Sequence, residues 1–274
     1  MIADYSSLPA TLLAAVDAAI SDAATADASR GLVIASDFDG VLAPLVDNPE
    51  DSRMTDSSAA AIAKISMHLT DSVHLALVSG RPLGQLFELA APPSGTHLIG
   101  SHGAEQGLVT NGVLVRQDHA LSPAQAANLA TVAEQAEALA GTAQGAWVEH
   151  KPAAAVLHTR LAHPDDATRI NAELLAFCAR LDVFAMAGKD VIEVAVQQAN
   201  KGQSLGELKR ELRASHVLYF GDDVTDETVF VTLGTGDVGV KVGDGDTAAG
   251  FRVRTVDHIS LLLSYIADKV IQDC

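Results

Sequence analysis

Four short apolar runs, each stopping abruptly at acidic or hydroxylic residues, constrain this chain more than any other feature. Leu32-Val33-Ile34-Ala35-Ser36 ends in Asp37-Phe38-Asp39-Gly40, and Val73 to Val78 ends in Ser79-Gly80-Arg81-Pro82. His97 to Gly100 runs into Ser101-His102-Gly103, and Val217 to Phe220 into Gly221-Asp222-Asp223. Runs of this length, rich in β-branched residues and closed by glycine turns, predict buried strands. Helical patterns lie between them: Ser57 to Leu69 behind a capping Asp56, a helix opened by Pro82, and Lys201 to about Arg213. Strands alternating with helices imply an α/β fold with a parallel sheet, and such sheets bind ligands beyond the carboxyl ends of their strands.

Asp37 and Asp39 occupy same-face positions at a strand end. Two such carboxylates repel, and the arrangement calls for a cation, a shared proton or a reacting group. Read alone, the turn is equally compatible with local Asx hydrogen bonding. The other strand ends add Ser79, Lys201 at a helix start, and Asp222 with Asp223. If the strands are neighbours, acids that hold a cation converge with a hydroxyl and an ammonium that meet an anion, the mixture that metal-assisted phosphoryl transfer requires. Mg²⁺ is the expected cation, with Asp37, Asp39 and Asp222 as its ligands and Asp223 and Asp226 behind them, because it prefers oxygen donors and bridges carboxylates to phosphate. Asp226 and Glu227 are also placed to cap the following helix. In this scheme Asp37 attacks phosphorus, Asp39 moves protons, and Ser79 and Lys201 hold the phosphoryl oxygens.

Composition narrows the partners. The chain has 274 residues, 48% of them hydrophobic, and a formal net charge of -17. Nucleic-acid and anionic-membrane surfaces draw on clustered Lys and Arg, so neither is an expected partner. Two cysteines, Cys178 and Cys274, give no disulfide framework, and a reducing cytoplasm is the default. The N-terminus lacks a basic region before its apolar stretch, which argues against a signal peptide, and no apolar run reaches spanning length. The expected partner is a small phosphorylated molecule, and the expected state a monomer.

Taken as a set, Asp37-Phe38-Asp39-Gly40, Ser79-Gly80-Arg81, Lys201-Gly202 and Gly221-Asp222-Asp223 with Thr225-Asp226-Glu227 resemble the four ordered motifs of the haloacid-dehalogenase superfamily of phosphatases. The resemblance implies a Rossmann-like parallel-sheet core with an inserted α+β cap of the C2 type. On this reading residues 1–105 and 197–274 form the core, with a leading helix and loose joint in 1–30, and residues 106–196 form the cap. A narrower set resembles the trehalose-6-phosphate phosphatase family: Ser101-His102-Gly103-Ala104-Glu105, Trp147 to Lys151, His158-Thr159-Arg160, and Gly188-Lys189 with Glu193. That likeness implies sugar or phosphate contacts from Glu149, Lys151, Arg160, Lys189 and Glu193 on the cap and from Arg81 and His102 on the core. Val41 replaces a Thr usual in the superfamily, and Asn200 stands before Lys201 where an acid is common.

Three other readings compete. A capped phosphatase of the sucrose-phosphate or mannosylglycerate-phosphate type shares the same motifs. A phospho-accepting receiver also combines acids, a hydroxyl and a Lys, but its acid pair precedes the acceptor strand and its domain is shorter. A non-catalytic sugar-phosphate binding module is expected to have lost Asp39 or Lys201, and both are present.

Overall fold

The computed structural model describes residues 4–25, 31–70, 72–117, 121–151, 153–188, 190–196 and 200–273. The chain divides into two compact units, residues 1–118 with 199–274 and residues 119–198. In the first, α1 (Ala10–Thr25) precedes β1 (Gly31–Ser36), α2 (Asp56–Ser66), β2 (Val73–Val78), α3 (Leu83–Ala90) and β3 (Thr96–Gly100), followed by β4 (Glu105–Thr110) and β5 (Val113–Gln117). The inserted unit holds α4 (Pro123–Ala140), β6 (Trp147–Lys151), β7 (Ala154–His158), α5 (Pro164–Cys178), β8 (Phe184–Gly188) and β9 (Val191–Ala195). The first unit resumes with α6 (Lys201–Glu211), β10 (Ala214–Gly221), α7 (Glu227–Phe230), β11 (Val238–Val242), β12 (Phe251–Val253) and α8 (Val256–Asp273).

The first unit's sheet runs β12-β11-β10-β1-β2-β3-β4-β5, parallel from β12 to β3 and antiparallel beyond. A joint after Glu105 is expected from the sequence; instead β4 pairs with β3 and β5 with β4, so this hairpin extends the first sheet and the division falls after Asp118. Asn111 and Gly112 form its turn at φ 53° and 74°, the left-handed pair that a two-residue hairpin loop favours. The last strand ends at Val253, and α8 opens at Val256.

All six residues of β1 are buried because both faces of the sheet are covered. Leu32 and Ile34 pack in one cluster with Leu12 and Val16 of α1, Ile62 and Ile65 of α2 and Leu262 and Ile266 of α8. Val33 and Ala35 pack on the other face with Leu205 and Leu208 of α6 and Val229 and Phe230 of α7. The chain proceeds from β1 outward through β2 and β3, then returns to β10 on the other side of β1. That reversal opens a crevice at the carboxyl ends of β1 and β10. The Asp37 amide donates to the Phe220 carbonyl at 2.9 Å, tying the two strand ends together.

His97 on β3 stands edge-on to His74 on β2, with ring centroids 6.2 Å apart. Burial, then the neighbouring His74, lowers the His97 imidazole to about 4. An unfolded histidine binds its proton near pH 6.5, so as pH falls from about 6.5 to 4 the unfolded chain gains a proton that the folded one refuses. Stability is therefore full above that window and is expected to fall within it by up to about 3 kcal/mol. Urea midpoints at pH 7 and 4.5 check this, and His97→Gln should flatten the difference.

The inserted unit is a four-stranded antiparallel sheet, β6-β7-β9-β8. Ala155, Leu157, Ile192 and Val194 on one face pack with Val132 and Ala136 of α4 and Ile170 and Leu174 of α5.

Candidate active site

Asp37 follows β1, Lys201 opens α6, and Asp222 follows β10, so three separate segments deliver the site to one end of the first sheet. Lys201 Nζ lies 2.5 Å from Asp37 Oδ2 and 2.8 Å from Asp226 Oδ1, and the Phe38 amide donates to Asp37 Oδ1 at 2.6 Å. Lys201 is only 2% exposed. Asn200 in place of an acid keeps the helix capped, its side chain accepting from the Gln203 amide at 2.8 Å. Burial pushes the Asp37 carboxyl up to about 8, with Lys201 acting in the opposite sense. Burial also disfavours the Lys201 ammonium, but the charges of Asp37 and Asp226 more than offset it and hold its pKa above the usual value.

Asp37, Lys201 and Asp222 line a cleft of about 660 Å³ with Ser79, Arg81, His102 and Asp223. Asp39 also lines it, but its carboxylate turns to Arg81: Nε donates to Oδ2 at 2.6 Å and Nη2 to Oδ1 at 2.8 Å, while Ser52 Oγ donates to Oδ1 at 2.7 Å. Burial works against ionisation of Asp39, but the Arg81 fork and Ser52 outweigh it and hold the carboxyl below the usual range. The Asp39 carboxylate, expected among the metal ligands, is thus engaged elsewhere. Ser79 is buried, with its Oγ accepting from the Arg81 amide at 3.2 Å. Burial, then the charge of Lys201, lowers the His102 pKa and favours the neutral ring.

Asp226 is fully buried and accepts four hydrogen bonds. Tyr219 Oη donates to Oδ1 at 2.6 Å beside Lys201, and the amides of Asp222 and Asp223 each donate to Oδ2 at 2.9 Å. Burial, then the Asp226 charge, raises the Tyr219 phenol well above its usual value and keeps it a donor. Lys241 Nζ donates to the Asp222 carbonyl from β11.

Asp37, Asp222 and Asp226 each offer a carboxylate oxygen within 4.8 Å of the others. Burial and the Asp226 charge push the Asp222 carboxyl up to about 6. Two crowded acids raised in this way fit a divalent cation, which would favour their ionised forms, and an all-oxygen donor set suits Mg²⁺. Asp226 is fully buried and already accepts from four donors, whereas Asp37 and Asp222 line the cleft, so these two are the carboxylates placed to face a cation there.

On the inserted sheet, the face opposite the helices carries Glu149, Lys151 and Glu193. Lys151 Nζ lies 3.1 Å from both Glu193 carboxylate oxygens, and His158 Nε2 lies 2.9 Å from Glu149 Oε2. Trp147 stacks on His158 at 4.6 Å, and Arg160 lies over the Trp147 ring at 5.8 Å. Lys189 lies outside the described residues.

With this geometry established, the sequence model of the trehalose-phosphatase family matches residues 35–254. The chain belongs to that family. It is 29% identical over 250 residues to a trehalose-phosphate phosphatase of Mycobacterium marinum, covering 85% of this chain and 61% of that one. It is 30% identical over 249 residues to an uncharacterised glycosyl hydrolase of Mycobacterium tuberculosis, covering 84% of this chain and 18% of the longer protein. The chain therefore spans about three-fifths of the first relative's length and under one-fifth of the second's. A solved trehalose-6-phosphate phosphatase of Aspergillus fumigatus shares the fold, with a TM-score of 0.69, 23% identity and coverage of 95% of this chain and 99% of that one. The structure adds three residues to the site that reading the sequence did not single out. Ser52 sits in a loop and Tyr219 and Lys241 inside apolar strands, where nothing local distinguishes them from ordinary surface or core positions.

Proposed function

We propose that the chain is a Mg²⁺-dependent phosphatase that hydrolyses trehalose 6-phosphate to trehalose and phosphate through a phosphorylated Asp37. The observation that carries this reading is the pairing of Asp37 with Lys201 at 2.5 Å, beside Asp222, at the carboxyl ends of adjacent strands. Asp37 and Asp222 would hold the magnesium ion, which when bound supplies positive charge to the phosphoryl oxygens. An Asp37 oxygen forms a bond to phosphorus as the bond to the sugar oxygen breaks, and Asp39 gives that oxygen a proton. Asp39 next takes a proton from water, whose oxygen attacks phosphorus and releases Asp37. For the first of these steps Arg81 must leave Asp39, and the released carboxylate must take up a proton from solvent. A phosphate presents the same paired oxygens to its fork, so substrate binding would draw Arg81 away and free the carboxyl. Ser79 and Lys201 steady the transferring group. Glu149, Lys151, Arg160 and Glu193 have the chemistry to take sugar hydroxyls and phosphate, and Lys189 is assigned with them from its place in the sequence.

The test measures inorganic phosphate released from trehalose 6-phosphate with Mg²⁺ and with a chelator. Release is expected with the metal, loss on chelation, and recovery when Mg²⁺ is restored. A panel of sugar phosphates compared by kcat/KM fixes the substrate: turnover confined to another sugar phosphate would move the assignment there. Stable phosphoprotein without turnover would favour a receiver.

A further inference from the structure

The turn that carries His102 runs through three successive residues in the left-handed region, Ser101, His102 and Gly103, at φ 50°, 56° and 113°. Glycine accepts such angles; serine and histidine do so only when their surroundings enforce it. Backbone contacts supply part of that enforcement, with the Ser101 amide donating to the Arg81 carbonyl at 2.7 Å and the His102 amide to the Ser79 carbonyl at 3.0 Å. Ser204 Oγ adds a bond to the Gly103 carbonyl at 3.1 Å, and further side-chain enforcement comes from Glu105, the first residue of β4. Its Oε2 accepts from Ser101 Oγ at 2.7 Å and from the Leu83 amide at 2.9 Å, and its Oε1 accepts from Arg116 Nη1 at 2.6 Å.

The Leu83 contact explains why an acid is used. Leu83 opens α3, and the cap position before it is Pro82, whose side chain makes no capping hydrogen bond. Glu105 supplies that missing acceptor from across the turn and places negative charge at the positive end of the helix. Burial works against its ionisation, but Ser101, Leu83 and Arg116 together hold its pKa below the usual carboxylate range. One carboxylate thus joins the start of α3, the left-handed turn and β5. The His102 ring, carried by that turn, lies so close over Gly80 that a Cβ there would come within 2.6 Å of its Nε2. Glu105 itself does not line the cleft, whereas Arg81 and His102 do.

We propose that Glu105 is a positioning residue for phosphate binding: it clamps the Ser101–Gly103 turn to the start of α3 and so fixes His102 over Gly80 and beside Arg81. The inference rests on the phosphatase reading above, and its test does not depend on the sugar. Binding of inorganic phosphate in the presence of Mg²⁺ is measured by calorimetry for the unaltered protein, Glu105→Ala, Glu105→Gln, His102→Ala and the Glu105→Ala/His102→Ala pair, per folded molecule as judged by circular dichroism. Glu105→Ala is expected to weaken binding about tenfold. Because Glu105 acts through His102, the double variant should bind about as weakly as the weaker single variant. Glu105→Gln keeps one acceptor but faces Arg116 with an amide, so a loss of about threefold is expected; it carries the test if the alanine variant does not fold. Lower thermal stability with undiminished affinity in the folded fraction, or fully additive losses in the double variant, would overturn the proposal. Absence of phosphate binding by the unaltered protein would overturn both this proposal and the phosphatase reading.

Discussion

Asp37→Asn is expected to lower phosphate release by at least about a thousandfold while leaving the fold intact. The amide has the shape of the carboxylate but is no nucleophile, so no covalent phosphoenzyme can form. The structural cost should be small for identifiable reasons. An asparagine oxygen can still accept from Lys201 or from the Phe38 amide, though not from both, and Lys201 keeps Asp226 at 2.8 Å. The substitution also removes a carboxylate that burial already disfavours in its ionised form. Melting within a few degrees of the unaltered protein, together with loss of turnover, is therefore the expected pair of results. Steady-state phosphate release and mass spectrometry for the phosphoenzyme measure it, and full activity in this variant would exclude the mechanism.

The parts of this arrangement that were legible in the sequence are those with a local signature. An apolar strand that ends in acids states both the strand and the chemistry at its end, so Asp37, Asp222, Ser79 and the start of α6 at Lys201 could be placed on one sheet before any coordinates. Period-2 burial hides from such reading on a strand covered on both faces, so nothing in the apolar run of β10 distinguishes Tyr219 from its neighbours. The hairpin of β4 and β5 did have a local signal that the sequence reading passed over, Asn111-Gly112 between two apolar pairs. The fate of the Asp39 carboxylate was not legible at all. Its partner Arg81 lies 42 residues away and Ser52 lies 13 away, and only tertiary packing decides that they take the carboxylate in preference to a cation.

Asp226→Asn tests the member of the site whose importance the sequence understated, where capping of the next helix was as good a reading. Its two oxygens accept from four donors: Lys201 Nζ, Tyr219 Oη and the amides of Asp222 and Asp223. Asparagine has one acceptor oxygen and one donor group. Turned one way, its NH₂ faces the two backbone amides; turned the other, it faces a buried ammonium and a buried hydroxyl. Either arrangement leaves buried donors opposed, and Lys201 retains only Asp37 as a counter-charge. Unlike Asp37→Asn, which leaves one donor opposed, this change opposes two at a fully buried site, and each costs about 1–3 kcal/mol, so the melting temperature is expected to fall by on the order of 10 °C. The function suffers by a separate route, because the backbone bonds to Asp226 fix the turn that presents Asp222. Mg²⁺ affinity, read by calorimetry on the folded protein at low temperature, is expected to drop at least about tenfold, as for other residues that orient metal ligands without touching the ion. A variant that loses stability but binds Mg²⁺ as tightly as before would confine Asp226 to the core and leave Asp222 correctly placed by the strand end alone.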